Sequence, residues 1–198
     1  MGRVLPQKFF NRPTLTVALS LIGCVLVRRR GKRVVRMTIT EVEAYDGFKD
    51  KASHAHRGET RRNAPMFGEA GSWYVYFTYG MHWMLNIVTG RAGYPAAVLI
   101  RGTEEVSGPA RLTKAFRIDG RLNGKKSSRA AGLWIERGKR VPGRLIRRTE
   151  RIGVSYAGAV WSRKLYRFVL VPHTFVQKKY RDARKRRGTR EQNNPKTT

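Results

Sequence analysis

A chain of 198 residues is long enough for one domain with its own hydrophobic core, and 42 Lys plus Arg against 13 Asp plus Glu leave it a formal net charge of +29. That balance calls for a polyanionic partner, of which nucleic acid is the commonest, because Lys and Arg placed at phosphates release condensed counterions. The single cysteine, Cys24, excludes an intramolecular disulfide and every multi-cysteine zinc or iron–sulfur site, and it suits a reducing intracellular setting.

The apolar stretch TLTVALSLIGCVLV (14–27) follows a basic start, but it falls short of the roughly 20 apolar residues that span a bilayer, and RRR closes it with no small-residue cleavage site. Residues 9–22 are expected to hold a helix, with Pro13 near its start, Asn11 or Thr14 as cap, Ala18, Leu19, Leu21 and Ile22 on the buried face, and Gly23 as its end. CVLVRR and VVRMTITEVEAY then read as two β-strands joined as a hairpin through RRGKR. From 46 to 71 periodicity is lost among Gly, Pro, Arg and Asn, the mark of a long functional loop.

SWYVYFTYGMHWMLNIVTG (72–90) carries no acidic or basic residue apart from His82. Its alternation predicts a hairpin with Tyr79-Gly80 as a two-residue turn and with Trp73, Val75, Leu85 and Ile87 in the core. Interior Tyr, Thr, His and Asn argue against a membrane helix. Tyr79, exposed at the tip, has no packing reason to be large, and on a basic protein it suits a wedge that parts the base stack. AAVLIRG (96–102) is the next strand, SGPARLTKAF (107–116) a short helix with Pro109 in its first turn, and GLWIER, RIGVSYAG and YRFVLVP the remaining strands. The expected fold class is mixed α/β (α+β): a single domain over 1–176 on a largely antiparallel sheet, followed by a basic, disordered tail over 177–198.

No acidic residue precedes position 41, and EVEAYDGFKD then supplies Glu41, Glu43, Asp46 and Asp50. On a strand, Glu41, Glu43 and Tyr45 share one face. A carboxylate beside an aromatic, just before a functional loop, suits a general base with a flat substrate alongside; the alternative is that each Glu pairs with an Arg of a neighbouring strand. His54 and His56 have a spacing that can share a metal ion, but no third ligand is apparent, and no metal is expected.

EVEAYDG, His54 within SHAHRGETRRNAPMF, GSWYVYFTYGMHWMLNI, VLIRG, GPARLTKA, LWIERG and RIGVSYAG occur in the order seen in the alkyladenine (3-methyladenine) DNA glycosylases, which the chain resembles from about Phe9 to Pro172. The resemblance implies a curved sheet with a protruding hairpin. It also implies a monomeric, cofactor-free, intracellular base-excision enzyme acting on double-stranded DNA, with no membrane partner. Such an enzyme flips alkylated or deaminated purines (the 3-methyladenine, 7-methylguanine, hypoxanthine and ethenoadenine class) out of the duplex and hydrolyses the N-glycosidic bond. Residue by residue, the resemblance implies Glu43 as general base, with Arg101 and the main-chain carbonyl of Val154 positioning the water. It makes Tyr45, His54 and Tyr76 the base-stacking pocket and sets Asn86 against the guanine 2-amino group. Tyr79 becomes the intercalating residue, with Met81 and His82 beside it on the hairpin. His82 stands where some members carry tyrosine, Met84 replaces a smaller residue, Arg111 stands where lysine is common, and the basic tail is additional. The other reading is a non-catalytic DNA- or RNA-binding protein that uses the same hairpin as a shape-sensing wedge.

Overall fold

The computed structural model of the protein describes residues 2–171, and the basic segment 177–198 lies outside them. A single turn, α1 (Gln7–Phe10), precedes α2 (Thr14–Leu21), because Pro13 lacks the N–H that would continue one helix through 9–22. Neither expected cap acts as one: Pro13 holds the N-cap position, and the Thr14 hydroxyl donates instead to Asp46 Oδ1 at 2.8 Å. α2 buries Val17, Ala18 and Leu21, leaves Leu19 partly covered, and ends before Gly23, whose φ of +88° a side chain would resist. Among the described residues no helix is long and apolar enough to cross a membrane.

The strands in chain order are β1 (Val25–Arg30), β2 (Arg33–Asp46), β3 (Trp73–Thr78), β4 (His82–Val88), β5 (Ala96–Thr103), β6 (Leu133–Glu136), β7 (Ile146–Thr149) and β8 (Arg167–Leu170). Every pairing is antiparallel, in the order β3-β4-β5-β2-β1-β6, with β8 on β2 and β7 outside β8. β1 and β2 form the expected hairpin. β2 outlasts β1, and over Glu41–Glu43 its freed edge passes to β8, so the sheet curls around the core as a single α+β domain. α3 (Pro109–Ala115) starts on Pro109, as expected.

Two strand assignments change. RIGVSYAG is a loop with one 3₁₀ turn (Ser155–Ala157) leading into α4 (Gly158–Ser162), because Gly153 and Gly158 take φ of +74° and +78° and interrupt any extended run. β7, IRRT, falls where no strand was expected. It pairs only with β8 and its two arginines are exposed, so it lacks the apolar alternation that marks a strand in sequence.

The main core, including Phe10, Leu21, Trp73, Leu85, Phe116 and Phe168, packs α2 and α3 onto one face of the sheet, and Val75 and Ile87 belong to it as expected. A smaller cluster of Ala55, Met66, Tyr74, Val88 and Ala97 lies on the opposite face under the 47–71 loop. β5, covered from both sides, is buried along its whole length.

Candidate active site

The period-two alternation that sends Trp73, Val75, Leu85 and Ile87 into the main core turns Tyr74, Tyr76, Met84 and Asn86 to the other face, where they line a cavity of about 280 Å³. The 47–71 loop contributes His54, β2 contributes Tyr45, β5 contributes Arg101, and the loop after Arg151 contributes Ile152, Val154 and Tyr156. At the hairpin tip Thr78 pairs with His82, so the turn has three residues, Tyr79-Gly80-Met81, instead of the expected two. Tyr79 and Gly80 have φ of +52° and +66°. The glycine takes this conformation freely, whereas a tyrosine there carries a cost of about 1–3 kcal/mol. Tyr79 is 82% exposed and stands on the cavity rim.

Behind the cavity lies a carboxylate network. The β2–β5 register shifts on either side of Glu41 and passes over Arg101, which brings both glutamates of EVE to one guanidinium. Arg101 Nε donates to Glu41 Oε1 at 2.9 Å and Nη1 to Glu43 Oε2 at 3.3 Å, and Arg167 from β8 donates to Glu41 at 2.7 Å. Pairing with arginine, the bland alternative, is therefore present at both positions. Glu43 has more: the Tyr45 hydroxyl donates to its Oε2 at 2.9 Å and the Ile152 N–H to its Oε1 at 2.8 Å. Burial raises the Glu43 pKa, and Arg101, Ile152 and Tyr45 oppose the rise. Glu43 is fully buried and does not itself line the cavity; it sits behind Tyr45, Arg101 and Ile152, which do.

The cavity wall is aromatic. His54 meets Tyr76 edge-on, with ring centroids 4.7 Å apart, and the Tyr74 and Tyr76 rings lie 5.1 Å apart at 32°. His54 Nδ1 is 3.2 Å from the Tyr74 hydroxyl. Though His54 is open to solvent on one side, packing around its ring lowers its pKa, with the Arg62 charge a second cause, so the neutral imidazole is favoured. Burial pushes the Tyr76 phenol up to about 12. Asn63 holds the loop in place, its amide donating to the His54 and Gly58 carbonyls at 3.0 Å each. Asn86 is buried, and its amide donates to the Tyr74 carbonyl at 3.1 Å. The Val154 carbonyl accepts the Ala157 N–H at 3.0 Å. Met84 lines the cavity, whereas Met81 and His82 lie on its outside, in a separate depression beneath the tip. Among the described residues no group of three or more His, Cys, Asp or Glu converges as a metal site.

Sequence reading missed three contributors. Tyr74 was legible, since it shares the two-residue period with Tyr76. Tyr156, whose hydroxyl donates to the Ala52 carbonyl at 2.9 Å, and the buried Asp50–Arg151 pair were not, because their partners are distant in the chain. Arg151 donates to both Asp50 oxygens at 2.5 and 2.8 Å and to the Ala44 carbonyl at 2.9 Å, and its guanidinium lies 4.8 Å from the centre of the Tyr45 ring. It thus fixes Tyr45 from behind and anchors the loop that presents Ile152 to Glu43.

Comparison with known proteins adds a family. The methylpurine-DNA glycosylase family model matches residues 8–107 and 103–174. A protein of Methanocella arvoryzae, provisionally named 3-methyladenine DNA glycosylase, is 43% identical over 175 residues, covering 78% of this chain and 86% of its own. One of Carboxydothermus hydrogenoformans with the same provisional name is 41% identical over 195 residues, covering 89% of this chain and 100% of its own. One of Streptomyces avermitilis is 41% identical over 178 residues, covering 79% and 84%. On that evidence the chain belongs to the methylpurine-DNA glycosylase family, DNA repair hydrolases that act on N-glycosyl bonds.

Proposed function

We propose that the protein, acting as a monomer on double-stranded DNA, turns an alkylated or deaminated purine into the aromatic cavity and hydrolyses its N-glycosidic bond with a water activated by Glu43. One juxtaposition carries this reading: a buried carboxylate held only by hydrogen-bond donors lies behind an aromatic cavity whose rim bears an exposed tyrosine.

Chemistry on a stacked base requires extrusion, which costs a few kcal/mol, and a side chain that fills the vacated space offsets part of that cost. Tyr79 serves as this wedge, and the backbone strain at its φ of +52° fits a functional constraint. In the cavity the purine stacks on Tyr45, Tyr76 and His54, whose electron-rich faces favour a cationic alkylpurine. The bulk of Asn86 opposes a 2-amino group, which disfavours undamaged guanine, while a labile glycosidic bond still lets a cationic alkylguanine react. A carboxylate has about four acceptor directions; Tyr45, Arg101 and Ile152 use three of those on Glu43, and the fourth takes the water. Because these residues roof Glu43 in the free protein, the water gains access as substrate enters. The water oxygen then bonds C1′ as the glycosidic bond breaks, its proton passes to Glu43, and the bonding pair departs with the purine, so that a cationic base leaves neutral. Arg101, with two of its five N–H groups engaged by the glutamates, and the second lone pair of the Val154 carbonyl orient the water.

Incubation with a duplex carrying one hypoxanthine or ethenoadenine is expected to leave alkali-labile abasic sites. A retained complex without strand breaks after alkali would favour the non-catalytic wedge.

Tyr79→Ala is expected to leave the melting temperature nearly unchanged, since the side chain is 82% exposed. Excision from paired duplex should fall roughly 5- to 150-fold, the equivalent of removing one base–aromatic stack. The loss should shrink when the lesion lies opposite a mismatch, where unstacking is cheaper. A destabilised protein with equal loss on both substrates would refute the wedge.

A further inference from the structure

On the side of the hairpin away from the aromatic cavity, a depression opens beneath the tip between Met81, His82 and Trp83 on one wall and Arg111 and Lys114 of α3 on the other. It runs through Arg30 and Arg117 into a trough that reaches Arg28 and Arg33 of the β1–β2 hairpin. The RRGKR turn and Arg111, which the site chemistry leaves unused, thus fall on one continuous line. The carboxylate beside it, Asp119, is held by Arg121 at 2.7 Å, and among the described residues Arg30, Arg33, Arg111, Lys114 and Arg117 form no ion pair.

All five of these side chains are exposed, so their charges stand open to an anionic occupant of the trough. Crowded cations repel one another in the free protein, and a row of phosphates relieves that repulsion while releasing counterions. We propose that this trough is a second DNA contact, which follows the backbone of the duplex on one side of the lesion. The hairpin then divides the DNA into an arm over the aromatic cavity and an arm over the trough. This assignment rests on the insertion of Tyr79 into the duplex.

Binding should therefore be directional. Two lesion duplexes are compared, each with a short flank on one side and a long flank on the other, in opposite polarity. The wild-type protein is expected to bind one polarity more tightly at low salt. The triple variant Arg30→Gln/Arg33→Gln/Arg117→Asn, altered only at exposed positions and checked by its melting temperature, should bind both polarities equally. Its slope of log affinity against log salt should be shallower by about 2–3, near 0.9 for each phosphate that is no longer neutralised. A control with the same loss of charge, Arg137→Gln/Lys139→Gln/Arg140→Gln, should keep the directionality. Equal binding of both polarities by the wild type, retained directionality in the trough variant, or its loss in the control would each overturn the proposal. Base release by the wild-type protein is scored separately, so a missing asymmetry beside intact release overturns the trough alone.

Discussion

Glu43→Gln is expected to lower single-turnover base release by roughly 10²- to 10⁴-fold, the usual contribution of a positioned general base, while binding of lesion duplex changes little. The amide keeps the shape, but its single oxygen can accept either from Ile152 or from the Arg101 and Tyr45 side, not from both, and it cannot take a proton from water. Glu41→Gln should be milder, because Glu41 holds Arg101 and Arg167, whereas the Tyr45 hydroxyl and the Ile152 N–H donate to Glu43. Burial raises the Glu43 pKa above the ordinary 4.5, and the base must be ionised to act. Activity should therefore fall with unit slope as pH drops through that raised value, at a higher pH than an ordinary glutamate would give. The stability effect has the opposite sign. A raised folded-state pKa means that the folded protein binds the proton more tightly than the unfolded chain does. This group's contribution is thus complete below pH 4.5 and is lost as pH rises through the folded-state value. Melting curves across this range should show the wild type losing stability relative to Glu43→Gln as pH rises. A constant difference between the two proteins would show that the Glu43 pKa is not raised, whereas wild-type turnover by the variant would remove Glu43 from the role of base.

Arg151→Met is expected to destabilise the fold by about 3–5 kcal/mol, because it strands the Asp50 carboxylate in a fully buried position. For a domain of this size that is a fall of roughly 6–20 °C in melting temperature. The double variant Asp50→Asn/Arg151→Met, which removes both charges of this pair, should recover much of the loss. Base release should not recover in parallel, because the guanidinium that lay 4.8 Å from the Tyr45 ring centre and anchored the loop before Ile152 is gone. Equal recovery of melting temperature and release would reduce Arg151 to a purely structural part.

What the chain reveals by itself follows the range of the interaction. Turn residues and two-residue alternation act over a few positions, so the β1–β2 and β3–β4 hairpins, the core residues Trp73, Val75, Leu85 and Ile87 and the Pro109 helix start were all legible. Pro13 acts just as locally, and the helix starts directly after it, as expected. The residues that the family resemblance marked out come together in part: Tyr45, His54, Tyr76, Tyr79, Asn86, Arg101 and Val154 line one cavity, while Met81 and His82 face the trough outside it. Tertiary structure alone decided the rest. Asp50 and Arg151 stand 101 positions apart, and neither has a local pattern that names the other. β7 carries too many arginines to show a strand, and exists because β8 offers an edge. Glu43 is buried only because β8 and the Ile152 loop close over the middle of β2. A strand's own period tells which face a carboxylate takes, but only what packs on that face tells how far it lies from water.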